Sequence, residues 1–169
     1  MCAASADGSA LNDVVLRPMT EADRELVYRI YADTRMEEIA LAPWSEQEKE
    51  DFLRMQFRAQ HEYYQKHFPA ASFDIVEKAG KPIGRLYLDR RPDELRIIDI
   101  ALFAAQRGQG IGGALMRRVL DEAAMLGKPV RIHVERNNPA MRLYERLGFN
   151  QVEDKGVYWL MERLAGVRE

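Results

Sequence analysis

Apolar residues along the chain follow two periods, and the change from one to the other marks the elements. Alternation with period two predicts strands over VVLRPM (14–19), PVRIHVER (129–136) and FNQVEDKGVYWLMERL (149–164). The segment SFDIVEKAGKPIGRLYLDR (72–90) alternates on both sides of Ala79 and Gly80, which predicts a hairpin. The nearly continuous apolar run ELRIIDIALFA (94–104) is typical of a central strand.

The segments between these strands show helical spacing and helix caps. Thr20 with Asp23, and Ser45 with Glu48, are typical of helix starts. Gly127 predicts the end of a helix over 110–126. In the second helix the apolar stripe is predicted to contain Phe52, Met55, Phe57, Tyr63 and Tyr64. The element order is β-α-α-β-β-β-α-β-α-β-β, an α/β domain with a mixed, twisted sheet.

Composition and charge limit the class of protein. The chain has 169 residues, 47% hydrophobic and 31% charged, which fits one domain over 14–169 with an apolar core. The net charge is -2 and no stretch is polybasic, so we expect neither nucleic acid nor a membrane surface as partner. The chain lacks a signal peptide and a membrane-spanning run, which predicts a cytoplasmic location.

Cysteine and histidine are sparse. Cys2 is the single cysteine, so an internal disulfide is excluded, and three scattered histidines argue against a bound metal. Cys2 lies in a segment of small residues, 1–13, that we expect to be a disordered tail.

The most unusual feature is a glycine segment, 107–113, at the start of the third predicted helix. Each glycine inside a helix costs about 1 kcal/mol relative to alanine. A strand that leads through glycines to a helix N-terminus favours an anion, because N–H groups are free there and the helix dipole is positive. Arg107 and Gln109 add donors at the rim. On spacing alone, close packing at a tight turn explains the glycines equally well.

Two nucleotide-binding motifs do not fit this segment. A Walker loop requires Lys-Ser/Thr after its last glycine, where this chain has Ala114-Leu115. The G-x-G-x-x-G spacing of a Rossmann fingerprint is present, but the segment lies mid-chain and Glu122 falls inside a helix.

Two ordered motifs resemble those of the GNAT superfamily of N-acetyltransferases. The signature Arg/Gln-x-x-Gly-x-Gly/Ala is present as RGQGIG (107–112), and a second family segment is present as NPAMRLYERLGF (138–149). One strand separates them, and the resemblance covers nearly the whole chain. It implies a mixed, twisted sheet of about seven strands with helices on both faces.

The resemblance also implies acetyl-CoA, or another acyl-CoA, as acyl donor and no metal. The pyrophosphate would lie on the backbone amides of the glycine segment, and the pantetheine arm between two parallel strands that separate. Asn138 resembles a family asparagine that contacts the cofactor, with Asn137 as the alternative register. The implied cofactor-binding residues are Leu102, Phe103, Ala104, Arg107, Gly108, Gln109, Gly110, Ile111, Gly112, Gly113, Asn138, Ala140 and Tyr144.

Transfer of an acyl group from a thioester to an amine requires an oxyanion donor and benefits from an acid and a base. A backbone N–H near Leu102 is expected to stabilise the oxyanion. Tyr144 matches the family tyrosine near the sulfur of coenzyme A, and we expect it to be the general acid. The alternative is an aromatic residue that only packs on the sheet.

The base is less clearly marked. Many family members carry a glutamate where this chain has Arg96. Asp99, expected on the opposite face of that strand, and His133 are the candidate bases, with Glu135 as a third. Direct attack by the unprotonated amine, with no dedicated base, is also open.

The sequence therefore predicts an acyl-CoA-dependent N-acyltransferase that acetylates a primary amine of a small molecule or protein. The alternative is a non-catalytic or regulatory module that binds acyl-CoA. Trp44 is the expected contact on the acceptor side, and both monomer and homodimer are open.

Overall fold

The computed structural model describes residues 13–166 of the chain. Residues 1–12 and 167–169 lie outside that range, and with them Cys2 and all of the expected tail except Asp13. The backbone carbonyl of Asp13 accepts a hydrogen bond from Ala79 N at 3.1 Å, so this residue continues the pairing of the first strand.

Within residues 13–166, seven strands form one mixed sheet, as the sequence predicted. They are β1 (Val14–Pro18), β2 (Ser72–Lys78), β3 (Lys81–Arg90), β4 (Leu95–Leu102), β5 (Val130–Glu135), β6 (Asn150–Asp154) and β7 (Tyr158–Arg163). Their order across the sheet is β1-β2-β3-β4-β5-β7-β6. The pair β4 and β5 is parallel, and every other neighbouring pair is antiparallel.

Four α-helices of the described part of the chain connect and cover the strands. They are α1 (Arg24–Ala40), α2 (Glu46–His67), α3 (Ile111–Leu126) and α4 (Met141–Arg146). The predicted caps are confirmed: Glu48 N donates to Ser45 Oγ at 3.1 Å, and Gly127 ends α3 with φ +65°. Within residues 13–166, no helix is long and apolar enough to cross a membrane.

Helices cover both faces of the sheet, which confirms the predicted architecture. On the α1–α2 face, Val27, Tyr31 and Phe57 pack with Ile75 and Tyr87 of the sheet. On the α3–α4 face, a larger core joins α3 and α4 to the other side of the strands. The two cores are separate, so the side chains of each strand divide between the two faces of the sheet.

The predicted apolar stripe of α2 is partly wrong. The buried side chains are Leu53, Phe57 and His61, which are four residues apart and form one narrow face. Phe52 and Met55 point elsewhere and are 37% and 58% exposed, and Tyr63 is 53% exposed. A helix that packs on one side buries one row of side chains, whereas the predicted stripe included apolar residues from several sides of the helix.

The central strands separate because of a bulge in β4. Tyr87 of β3 pairs with Asp99, and Leu88 pairs with Ile97, so Ile98 is an extra residue without a partner on β3. On its other side, β4 pairs with β5 only from Leu95 to Ile97. Both strands continue further, and this unpaired region is called the split below.

Gly84 of β3 lies opposite Leu102, where β3 holds β4 beside the split. A Cβ at Gly84 would lie 2.2 Å from Ala101 O and 2.7 Å from Leu102 Cδ2. Both distances are far below van der Waals contact. Only glycine permits this approach of the two strands.

We expect Gly84→Ala to destabilise the fold by about 1–3 kcal/mol, because the added methyl must displace the β4 backbone. Urea unfolding measures the change. Gly113→Ala is the control, because a Cβ there meets its nearest neighbour at 3.6 Å. Equal stability of the Gly84 variant and the wild type would contradict the close approach.

Candidate functional site

The glycine segment forms an open turn between β4 and α3. Gly108 and Gly110 have φ of +77° and +79°, in the left-handed region that favours glycine. A Cβ at either position would have no atom within 4 Å. These two glycines are therefore required by backbone conformation and not by crowding.

Gly112 and Gly113 are different, because both lie in the first turn of α3. A Cβ at Gly112 would be 3.9 Å from Leu102, and one at Gly113 would be 3.6 Å from Arg117. These are ordinary contact distances, so the protein itself has room for alanine at both positions. Close packing within the protein, the alternative considered above, does not explain them.

The exit of β4 lies beside this turn. Phe103 N donates to Ile83 O at 2.9 Å, and Ala104 N donates to Asp33 Oδ2 of α1 at 2.6 Å. Asp33 was not identified from the sequence. The N–H of Ala104, an implied partner of pantetheine, is thus already bonded to a side chain of α1.

Asn138 shapes the turn before α4. Its Oδ1 accepts from Ala140 N at 2.8 Å, and its carbonyl accepts from Met141 N at 3.1 Å. Asn137, the alternative register, precedes it and is exposed. The side-chain oxygen of Asn138 is therefore used within the protein, which leaves its amide nitrogen as the donor for a ligand.

Tyr144 lies on α4 and is 5% exposed. Its ring packs edge-on against Phe149, with centroids 5.9 Å apart. Burial, followed by the negative charge of Asp99, raises the pKa of Tyr144 to about 12. The phenol is therefore protonated at neutral pH and able to donate a proton.

Asp99 forms an ion pair with Arg85 of β3 and is not a free carboxylate. The guanidinium of Arg85 is 3% exposed and also donates to Gln60 Oε1 of α2 at 3.0 Å. Burial lowers the pKa of Arg85, but the charge of Asp99, the two nearby phenols and the hydrogen bond to Asp99 together outweigh burial, and the net direction is upward. Both charges are thus kept in a largely buried position.

The expectation that Asp99 and Arg96 lie on opposite faces is wrong. Asp89 and Tyr87 share one face of β3, and their partners are Arg96 and Asp99. The extra residue Ile98 shifts the alternation by one position, so both side chains lie on the α1–α2 face.

The charge of Asp99 acts on three tyrosines of different elements. It contributes, after burial, to the raised pKa values of Tyr64, Tyr87 and Tyr144. Tyr64 belongs to α2 and is half-buried, whereas Tyr87 of β3 and Tyr144 of α4 are buried. The sequence did not single out Arg85 or Tyr64. A lone arginine inside the apolar strand IGRLYL was the signal for the first.

His133 belongs to a different group of charges. Its Nδ1 is 3.5 Å from Arg96 Nη1. Partial burial, then Arg96 and Lys155, lower the pKa of His133, so its ring is neutral at pH 7. Arg96 in turn pairs with Glu94 at 3.2 Å, and Glu94 also contacts Arg131 at 3.4 Å. Arg96 is thus part of an ion-pair network.

Glu135, the third candidate base, is the last residue of β5 and lies in the part of β5 that borders the split. Its carboxylate contacts Arg35 Nη2 of α1 at 3.6 Å. The structure thus pairs Asp99 with Arg85, His133 with Arg96, and Glu135 with Arg35. Within residues 13–166, no group of His, Cys, Asp and Glu side chains is arranged to hold a metal ion.

Comparison with known proteins identifies this arrangement. The sequence matches the model of the acetyltransferase (GNAT) family over residues 26–149. This match spans most of the chain, including the glycine segment, Asp99 and Tyr144. The chain belongs to the GNAT family. No curated protein matches the sequence significantly.

Solved structures share the fold at low identity. A PaiA N-acetyltransferase from Thermoplasma acidophilum, in complex with coenzyme A, has a TM-score of 0.68 at 17% identity, over 89% of this chain and 98% of that one. Ard1 from Thermoplasma volcanium has a TM-score of 0.60 at 23% identity, over 90% and 98%. The ribosomal-protein-S18-alanine N-acetyltransferase from Escherichia coli has a TM-score of 0.60 at 20% identity, over 92% of this chain and 96% of that one.

We expect Asp99→Leu to lower the free energy of unfolding by about 3–5 kcal/mol, because it leaves the buried charge of Arg85 without its partner. The double variant Arg85→Leu/Asp99→Leu removes both charges and should recover most of the loss. Urea unfolding measures both.

Glu122→Leu is the control for this cycle. It breaks the Arg90–Glu122 pair, whose side chains are 46% and 38% exposed, and should cost less than about 1 kcal/mol. Additive losses in the Arg85/Asp99 cycle would show that the two charges are not coupled.

Proposed function

We propose that the protein is an acetyl-CoA-dependent N-acetyltransferase that acetylates a primary amine directly. The observation that carries the proposal is the open glycine segment at the N-terminus of α3, directly beside the split. The segment offers backbone N–H donors for a phosphate, and the split offers unpaired strand edges for an extended arm. A donor that combines a pyrophosphate with an amide-bearing arm suits both.

Room for the donor is the second argument. Gly112 and Gly113 cost α3 about 1 kcal/mol each relative to alanine, although the protein has space for alanine there. That cost is explained if a phosphate approaches the backbone from outside. The related PaiA structure contains coenzyme A, which supports the same donor class here.

The reaction balances without a redox partner. The amine nitrogen forms a bond to the thioester carbonyl carbon, and the carbon–sulfur bond then breaks. An ammonium ion and acetyl-CoA give the N-acetyl amide, the free thiol of coenzyme A and one proton. A backbone N–H near Leu102 is proposed to stabilise the oxyanion.

Tyr144 is proposed as the acid that protonates the departing thiolate. Its raised pKa keeps the phenol protonated until negative charge develops on sulfur. Asp99 helps indirectly, because its charge disfavours the phenolate.

Three acceptors compete for the proton of the amine. Asp99 is the weakest of them, because its protonation would give up the ion pair with buried Arg85. His133 is neutral at pH 7 and therefore able to accept a proton. The third is the solvent, when the amine attacks as its free base.

A cytoplasmic location and the exclusion of nucleic acid and membrane partners stay predictions. The choice between monomer and homodimer stays open as well.

We expect Gly110→Asp to abolish measurable acetyl-CoA binding, because its carboxylate repels the pyrophosphate at the glycine segment. Gly110→Asn is the matched control, since it has the same size and a similar tolerance for positive φ but no charge. Calorimetry and the thermal shift at saturating acetyl-CoA measure binding. Affinity of the aspartate variant within a few-fold of the asparagine variant would place the phosphate elsewhere.

We expect Tyr144→Phe to lower kcat by ~10²–10⁴-fold, the range of positioned acid catalysis. Acetyl-CoA affinity should hardly change, because the hydroxyl acts mainly in the transition state. Tyr63→Phe, on an exposed position of α2, is the control. An unchanged kcat, where chemistry limits the rate, would remove Tyr144 from the mechanism. Donor binding without turnover of any amine would favour the non-catalytic module.

A further inference from the structure

A cavity of about 320 Å³ lies between the second half of α1, the segment 41–45 and the start of α2. This volume is at the lower end of the range for small-molecule sites. Tyr31 and Ile39 are buried and form its floor. We call it the aromatic cavity.

Two aromatic side chains wall this cavity and remain exposed. Trp44 and Phe52 are tilted against one another with centroids 5.2 Å apart. Trp44 is 40% exposed and Phe52 is 37% exposed, although they lie next to the buried core between α1 and α2. Together with Tyr31 they offer three aromatic surfaces, which suits an aryl or branched-alkyl group of a ligand.

The mouth of the aromatic cavity lies beside the end of β5. Arg35 lines the cavity together with Tyr31, and its Cζ lies 5.7 Å from the centroid of the Tyr31 ring. At the mouth, Arg35 contacts Glu135 at the end of β5. A ligand in the cavity therefore extends toward the split.

The charges at the mouth favour a cation. Arg35 is the one basic side chain among the residues that line the cavity. It is shared between Glu38 at 3.1 Å and Glu135 at 3.6 Å. Two carboxylates with one guanidinium leave a net charge of about -1, which attracts an ammonium group and repels a carboxylate.

We propose that the aromatic cavity holds the hydrophobic group of the acceptor, and that the acceptor is an arylalkylamine-type cation without a carboxylate. This inference rests on the proposed function and adds the substrate class. The ammonium group loses its proton, its nitrogen bonds to the acyl carbon, and the thiolate leaves with a proton. The aryl group takes no part in the chemistry and fixes the amine in position.

The test is steady-state thiol release from saturating acetyl-CoA with four amines. The set contains 2-phenylethylamine, ethylamine without the ring, L-phenylalanine with a carboxylate, and L-phenylalaninamide with that carboxylate neutralised. Rates are compared per concentration of unprotonated amine, because the four amines differ in pKa. We expect kcat/KM for 2-phenylethylamine to exceed those of ethylamine and L-phenylalanine at least about tenfold. The kcat/KM for L-phenylalaninamide should return most of the way from the value for L-phenylalanine to the value for 2-phenylethylamine.

Two variants link this preference to the cavity. Trp44→Ala should raise KM for 2-phenylethylamine about tenfold and so reduce the ratio of kcat/KM for 2-phenylethylamine to kcat/KM for ethylamine. Glu38→Gln frees Arg35 from one partner and should narrow the discrimination against L-phenylalanine. Met55→Ala is the control, because Met55 is 58% exposed on α2 and does not line the cavity.

The inference is overturned if L-phenylalanine or ethylamine matches 2-phenylethylamine, or if peptides exceed every small amine. It is also overturned if Trp44→Ala affects all amines equally. Should no amine turn over, calorimetry with 2-phenylethylamine and coenzyme A decides. Binding to the wild type that is lost in Trp44→Ala supports the cavity, and no binding rejects it. The proposed function fails separately, when acetyl-CoA neither binds nor loses its acyl group.

Discussion

Beyond Ile97 and Ile132, the parallel strands β4 and β5 stop hydrogen bonding, although both continue. Central strands normally satisfy their polar groups on both sides, and unpaired groups away from water are costly. The backbone N–H and C=O groups of β4 that point toward β3 form hydrogen bonds with it. Those on the other edge of β4 face the split. The glycine segment and the ion pair of Arg85 with Asp99 both lie at this part of β4. The bulge at Ile98 creates the split, and Gly84 lets β3 hold β4 while β4 leaves β5.

The opening has a charged centre that the protein keeps from water. Arg85 and Asp99 neutralise one another, and three phenols from α2, β3 and α4 lie within the influence of the carboxylate. Burial first, and then this negative charge, raise the pKa values of the three tyrosines.

Much of this architecture was predictable because its signals are local. The Ser45–Glu48 cap, the stop at Gly127 and the hairpin at Ala79 and Gly80 each depend on a few adjacent residues, and each is confirmed. The family motifs added the strand order.

The face of Asp99 was not predictable, because one extra residue in β4 reverses the alternation, and nothing in IIDIA marks the bulge. The partner of Asp99 was hidden for the same reason: Arg85 lies on another strand, and only the register brings the two together. In α2, an apolar side chain alone could not show whether it joins the core or, like Phe52, walls a cavity.

Helix α1 contacts the ends of both strands that border the split. Asp33 fastens it to the end of β4 at Ala104, and Arg35, two residues further on, fastens it to the end of β5 at Glu135. These strand ends are the parts of the sheet that no longer hold one another. Side chains of α1 therefore connect the ends of β4 and β5 across the split. In a regular sheet, hydrogen bonds between the strands would connect them directly. A shift of α1 along its axis therefore acts on the ends of β4 and β5 at the same time.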